Sequence, residues 1–135
     1  MGGGAVADDM CNQNLFPAFH ITGERGWIND PNGLVEFNGE YHVFFQYYPD
    51  DCQWGPMHWG HVKSKDLMHW ERLPVALKPD ENEDGCFSGS AIVWNGQLWL
   101  LYTGFKQNEG GEAVRQLQCL ASSRDGVHFI KHGIV

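Results

Sequence analysis

The residues with the clearest chemical potential lie in one short stretch of the sequence. It reads Trp27-Ile28-Asn29-Asp30-Pro31-Asn32-Gly33. Because the ring of a proline clashes with a helical predecessor, Pro31 keeps Asp30 extended, and the residues Pro31-Asn32-Gly33 favour a turn. We therefore expect Asp30 to be a carboxylate held at the start of a strand, where it could do chemistry or could merely cap the turn.

Two separate motifs recur along the chain at nearly the same interval. Asn38-Gly39 lies between two apolar runs and tolerates the positive φ angles of a tight hairpin turn, and Asn95-Gly96 repeats this pattern 57 residues later. The second pair, 59 residues apart, is Ser64-Lys65-Asp66-Leu67-Met68-His69-Trp70 and Ser123-Arg124-Asp125-Gly126-Val127-His128-Phe129. Strand-like runs precede and follow each copy, so Asp66 and Asp125 are expected to be turn residues.

The repeating unit is a hairpin, a third strand, a polar turn and a fourth strand. Four antiparallel strands per unit describe a blade of a β-propeller, and a sandwich with two similar hairpins is the alternative. We predict an all-β fold. A propeller closes with about four to eight blades, whereas 135 residues supply about two. We therefore expect the chain to be a fragment of a larger domain, or an N-terminal piece whose strand edges need partners.

The repeat also predicts which residues share a pocket. Superposing the two hairpins matches Phe87 with Asp30 and Ser88 with Pro31. The first strand of every propeller blade faces the central channel, so both segments should line one cavity. A fixed carboxylate, a hydroxyl and aromatic rings suit a small sugar, because polar groups bind its hydroxyls and rings pack on its C–H faces.

Charge and composition exclude several classes of partner. The net charge is -8, which opposes contact with nucleic-acid phosphates, and no apolar stretch approaches the ~20 residues of a membrane-spanning helix. Residues 1–18, predicted to be an N-terminal extension, show no signal-peptide pattern, so a cytoplasmic location is expected. In a cytoplasmic protein we expect free thiols, with one disulfide pair as the alternative, at the four cysteines Cys11, Cys52, Cys86 and Cys119.

Other chemistries fit the sequence less well. His58 and His61 lie in a predicted strand, where residues three apart face opposite sides, and zinc needs three or four ligands; we expect no metal and no cofactor. Ser88 lacks a paired histidine, which argues against a serine hydrolase. A solvated loop is expected for the acidic run Asp80, Glu81, Glu83 and Asp84. Packing roles in the core or between blades are expected for Trp59, Trp70, Trp94 and Trp99.

From about Phe19 to Val135 the chain resembles glycoside hydrolase family 32, which comprises invertases, levanases and inulinases. Residues 27–33 look like that family's W-x-N-D-P-N-G signature. The resemblance continues, in order, through Phe45-Gln46-Tyr47-Tyr48-Pro49, Trp54-Gly55-Pro56-Met57-His58-Trp59-Gly60-His61, Ser64-Lys65-Asp66-Leu67 and Phe87-Ser88-Gly89-Ser90-Ala91. Within the family, the bacterial sucrose-6-phosphate hydrolases look most similar.

The resemblance implies a five-bladed propeller with a retaining β-fructofuranosidase site, of which residues 19–135 would supply about the first two blades. Asp30 would be the nucleophile that attacks the anomeric carbon of fructose. The sugar would be bound by Trp27, Asn29, Gln46, Trp54, Phe87 and Ser88, with Trp27 shaping the wall. A retaining glycosidase also needs a second carboxyl group, and the family's Glu-Cys and Arg-Asp-Pro motifs do not occur in this sequence.

Two functions therefore stay open. The first is a β-fructofuranosidase that hydrolyses sucrose or sucrose-6-phosphate by double displacement, with the acid/base and a further aspartate expected beyond Val135. The second is a non-catalytic fructoside-binding remnant that kept the pocket and lost the acid/base. The choice among sucrose, its 6-phosphate and fructans, and the oligomeric state, are not fixed by these residues.

Overall fold

The computed structural model describes residues 19–135, and the predicted N-terminal extension and Cys11 lie outside the described residues. The described part consists of eight strands and no helix. The strands are β1 Trp27–Phe37, β2 Glu40–Tyr48, β3 His58–Ser64, β4 Glu71–Leu77, β5 Gly85–Trp94, β6 Gln97–Gln107, β7 Ala113–Ser123 and β8 Ile130–Ile134. They form two four-stranded antiparallel sheets, ordered β1-β2-β3-β4 and β5-β6-β7-β8. The predicted all-β fold with two successive blades is confirmed.

The turns that join the strands also match the two repeated motifs. In the hairpins, φ is 54° at Asn38 and 51° at Asn95, and the glycine that follows each is positive as well. Both central residues thus adopt the angles of a type I′ turn. In the polar turns, Asp66 and Asp125 each accept backbone N–H donations from the two residues at positions +2 and +3, at 2.8–2.9 Å. Their expected role as turn residues is confirmed.

The turn predicted at Pro31-Asn32-Gly33 is wrong. These residues lie inside β1, which pairs with β2 on both sides of them, and the pairing register shifts between Ile28 and Pro31 and again between Asn32 and Val35. The chain therefore absorbs its extra residues as bulges and continues. β1 is the edge strand of its sheet, which is the place within a sheet where a proline such as Pro31 is tolerated.

The two sheets pack against each other through one apolar core. Its buried members come from both blades: Phe37, Phe44, Trp59, Leu77, Cys86, Leu98, Leu100, Tyr102, Cys119 and Ala121. The opposite face of the first blade has a smaller core around Val43, Phe45, Tyr47 and Val62, against which Trp70 packs. The shared core fixes the position of β5 beside β1, and this contact shapes the candidate site.

The four tryptophans expected to pack do not all do so. Trp59 is fully buried and Trp70 packs on the second core, as predicted. Trp94 is 60% exposed, so its predicted packing role is wrong within residues 19–135. The reason is its place at the end of β5, beside the hairpin turn, where the ring lies 6.0 Å from that of Trp99.

Over the same residues, the structure contains no helix with the length and apolar content needed to cross a bilayer.

Candidate functional site

A cavity of about 270 Å³ opens where β1 and β5 begin. It brings together six of the seven residues that the sequence singled out: Asn29, Asp30, Gln46, Trp54, Phe87 and Ser88. Met57, Thr103 and Gln116 complete the lining. The sequence did not single out these three residues. Thr103 and Gln116 lie on β6 and β7, behind the strand that carries the motif. Trp27 does not line the cavity.

Asp30 and Ser88, which lie 58 residues apart in the sequence, meet at this cavity. The hydroxyl of Ser88 donates to Oδ2 of Asp30 at 3.2 Å. At Asn29, which precedes Asp30 in the sequence, side-chain Oδ1 accepts a hydrogen bond from the indole N–H of Trp27 at 2.7 Å. Trp27 therefore acts on the site through Asn29, whose side-chain amide it holds in one orientation. Asp30 itself is exposed to solvent at the cavity mouth.

Aromatic rings form one wall of the cavity. Phe87 stacks on Phe105, with ring centroids 4.5 Å apart and an angle of 9° between the planes. Trp54 meets Phe87 edge to face at 6.1 Å and is 56% exposed. Stacking on Phe105 holds the ring of Phe87 in place, while Trp54 offers an open face on which the C–H face of a sugar could pack.

The first blade holds the backbone of β5 just before Ser88. The side-chain amide of Gln46 donates to the carbonyl of Cys86 at 3.0 Å, and the indole N–H of Trp59 donates to the carbonyl of Phe87 at 3.0 Å. The backbone N–H of Cys86 donates to the carbonyl of Met57 at 2.8 Å. The contact from Trp59 joins residues 28 apart in different blades, and no local pattern in the sequence signals it.

The acidic run before β5 is only partly the solvated loop that was expected, because Asp80 and Glu81 are exposed whereas Glu83 is buried. Glu83 is 5% exposed, and its Oε1 accepts hydrogen bonds from Cys86 Sγ at 3.1 Å and from the Tyr102 hydroxyl at 3.2 Å. It also pairs with the ammonium group of Lys131 on β8. Burial, together with the charge of Glu83, raises the pKa of both Cys86 and Tyr102. The ion pair with Lys131 stabilises the Glu83 carboxylate in its buried position, and the composition of the acidic run gives no sign of this pairing.

Glu83 does not face Asp30. It lines a different cleft, of about 440 Å³, together with Tyr102, Cys119 and Lys131. Asp30 is thus the one carboxylate among the described residues that line the 270 Å³ cavity. The described lining of that cavity includes no lysine, arginine or histidine either.

The histidines do not form a metal centre in the described part of the chain. His58 and His61 face different surroundings: Nδ1 of His58 contacts the Pro56 carbonyl at 2.8 Å, whereas Nε2 of His61 contacts Nδ1 of His42 at 2.9 Å. Across residues 19–135, no three or more of the usual side-chain ligands come together as a metal site. Among the cysteines, Cys86 and Cys119 are buried thiols.

The sequence and the fold of this chain match those of known proteins. The model of the glycosyl hydrolases family 32 N-terminal domain matches residues 20–135. A sucrose-6-phosphate hydrolase of Zymomonas mobilis is 58% identical over 130 residues, which are 93% of this chain and 25% of the relative. A β-fructofuranosidase of Bombyx mori is 47% identical with a TM-score of 0.82, over 90% of this chain and 26% of the other. A mutant of that enzyme, solved in complex with sucrose, is 46% identical with the same TM-score and coverage.

The chain spans about a quarter of the length of the relatives that it matches. Its two sheets are therefore the first two blades of their β-propeller. The chain belongs to glycosyl hydrolase family 32, and residues 20–135 match the N-terminal domain of that family.

Proposed function

We propose that the protein carrying this chain hydrolyses terminal β-D-fructofuranosides, sucrose or sucrose-6-phosphate, by a retaining double displacement. The observation that carries the proposal is the cavity in which Asp30 meets Ser88 beside the rings of Trp54 and Phe87. The similarity to a sucrose-6-phosphate hydrolase and to a β-fructofuranosidase solved with sucrose supports this substrate class.

Asp30 is proposed as the nucleophile. One oxygen of its carboxylate attacks the anomeric carbon of the fructosyl unit, the bond to the leaving-group oxygen breaks, and that oxygen takes a proton from a general acid. Water then attacks the anomeric carbon of the fructosyl-enzyme intermediate from the side of the departed group, and the acid, now a base, accepts the water's proton. The bond from that carbon to the Asp30 oxygen breaks, which releases fructose and restores the Asp30 carboxylate. The hydrogen bond from Ser88 to Oδ2 helps to fix the orientation of the Asp30 carboxylate for this attack.

The remaining cavity residues are proposed to bind the sugar. Asn29 is oriented by Trp27 and can hold a hydroxyl group, while Trp54 and Phe87 contact the C–H faces. Gln46 is 3% exposed, and one N–H of its side-chain amide donates to the Cys86 carbonyl. The second N–H and the carbonyl oxygen of that amide are therefore the groups proposed to bind the sugar. No cofactor takes part in this chemistry.

A second function follows from the carboxylate count. A retaining glycosidase needs two carboxyl groups about 5–5.5 Å apart, and Asp30 is the one such group in the described lining. If no general acid is present in the whole protein, the site would bind a fructoside without cleaving it.

A phosphate on the sugar would need cationic partners, and the described lining offers none. Selection of sucrose-6-phosphate would then depend on groups outside it. A cytoplasmic location stays a prediction.

The test uses the complete gene product that carries this chain, assayed with sucrose and with sucrose-6-phosphate. Asp30→Asn keeps the shape of the side chain and the contact with Ser88 but removes the nucleophile, so we expect kcat to fall at least about 10³-fold. Glu36→Gln, an exposed position on the same strand, is the matched control and should keep the wild-type rate. Near-normal turnover by Asp30→Asn would rule out Asp30 as the nucleophile. Fructoside binding by a wild-type protein that shows no turnover would favour the binding function.

A further inference from the structure

The position of Ser88 is not fixed by its own sheet. β5 pairs with β6 in regular register up to Phe87, which faces Thr103, and resumes at Gly89, which faces Tyr102. Ser88 is the residue at which the register shifts, so it has no cross-strand partner. A bulged residue can point its side chain in a direction that the ladder does not dictate. Something outside the sheet must therefore aim the Ser88 hydroxyl at Asp30.

The contacts from the first blade supply that constraint. They bind the two peptide units that immediately precede Ser88, through the carbonyls of Cys86 and Phe87. The bond from Trp59 is the last before Ser88, and the peptide plane that contains the Phe87 carbonyl also contains the Ser88 nitrogen. A rotation of this plane would move Ser88 relative to Asp30.

Trp59 is suited to hold the plane because its ring is enclosed by the core. The side chain is fully buried and packs between Phe44 and Tyr102, at ring-centroid distances of 5.7 Å and 6.5 Å. Gly33 leaves room for it, since a Cβ there would lie 3.2 Å from the Trp59 ring. The indole N–H is thus a donor fixed in space by the interblade core. Trp59 does not line the cavity and cannot touch a ligand in it.

We propose that Trp59 is a positioning residue, which holds the Phe87 carbonyl and thereby aims the bulged Ser88 at Asp30. The core between the blades would then set the geometry of the site through a single indole N–H. This inference rests on the proposed function where turnover is concerned. Its structural content, the link from Trp59 to the Ser88–Asp30 contact, stands independently.

The test removes the N–H and keeps the packing. Trp59→Phe deletes the donor, and 3-benzothienylalanine at position 59 keeps the bicyclic ring with sulfur in place of N–H, which covers the case in which the phenylalanine variant fails to fold. Trp99→Phe is the matched control, because its indole N–H also donates to a backbone carbonyl, that of Trp94 at 3.2 Å, away from the cavity. In the complete gene product we expect either change at Trp59 to lower kcat roughly 10-fold with little change in KM, and Trp99→Phe to leave both unchanged.

A double-mutant cycle separates positioning from general damage. If Trp59 acts through Ser88, the benzothienyl substitution should cost less than about twofold in a Ser88→Ala background. An undiminished cost in that background, or equal effects at positions 59 and 99, would overturn the proposal.

Crystal structures of the wild type and the benzothienyl variant give a readout that needs no activity. The distance from Ser88 Oγ to Asp30 Oδ2 should lengthen in the variant, and an unchanged contact would also overturn the proposal. A wild-type protein without turnover would count against the proposed function alone, and the inference would then be decided by these structures.

Discussion

Acid should destabilise this fold through a histidine buried between the blades. His61 is 1% exposed, stacks on Phe44 at 4.1 Å and meets Phe129 of the second blade edge to face at 6.0 Å. Its Nε2 contacts His42, and its Nδ1 has no hydrogen-bond partner. A proton on His61 would place a cation in this apolar contact, where the positive charge of Lys63 and any proton on His42 oppose it. Burial first, and then these charges, lower the pKa of His61 to about 3.

The size of the effect follows from that pKa. The unfolded chain binds the proton with a pKa near 6.5, whereas the folded protein binds it only near pH 3. Unfolding therefore takes up a proton between these values, so the stability that His61 contributes is present above pH 6.5 and is lost as the pH falls towards 3. With about 1.4 kcal/mol per pH unit, the loss between pH 8 and pH 5 is about 2 kcal/mol. The pKa of His42 is also lowered by burial and adds in the same direction.

The free energy of unfolding in urea, followed by tryptophan fluorescence at pH 8 and pH 5, measures this loss. His61→Gln cannot take up a proton, so the difference between the two pH values should shrink by about 2 kcal/mol in that variant. His20→Gln, at an exposed position, should retain the full wild-type difference. An equal pH dependence in the wild type and His61→Gln would refute the assignment of the acid sensitivity to this residue.

Three further predictions concern stability, and all are read from urea unfolding at pH 7. Glu83→Gln leaves the partly buried ammonium of Lys131 without its closest counter-charge and should cost about 3 kcal/mol; adding Lys131→Met should recover most of this loss, and a double variant as unstable as the single one would contradict the ion-pair explanation. Leu67 has φ 63°, where the repeat places a glycine at Gly126, so Leu67→Gly should stabilise the protein by about 0.5–1 kcal/mol. Gly126→Ala should instead destabilise it, because a Cβ there would lie 2.9 Å from the Phe37 ring, and a loss on Leu67→Gly would disprove the strain at position 67.

The strands and their order could be predicted from the sequence because the signals that define them are local. Asn38-Gly39 and Asn95-Gly96 adopt positive φ angles in both blades, as this residue pair favours. Asp66 and Asp125 bond to backbone groups within three residues. Repetition of such local signals at a constant interval was enough to identify two successive blades.

The shared cavity of Asp30 and Ser88 was also predicted from the sequence, because the repeat places both segments at the start of the first strand of their blades, whereas the hydrogen bond between them was not predicted. The bulges of β1 were not predicted either, since Pro31-Asn32-Gly33 has the composition of a turn and only pairing with β2 makes it a strand. The burial of Glu83 was missed for a similar reason, because its partner Lys131 lies 48 residues away.

What the sequence by itself determined is the set of elements, the two-blade repeat and the chemical groups available at the site. Those properties depend on neighbours in the chain, whose backbone preferences and side-chain bonds act over a few residues. Only the tertiary structure decided which groups hold the site in place: Gln46 and Trp59 reach across the interblade core to carbonyls 40 and 28 residues away. Such contacts form only when apolar burial brings the sheets together, and no short stretch of sequence records the distance at which they will meet.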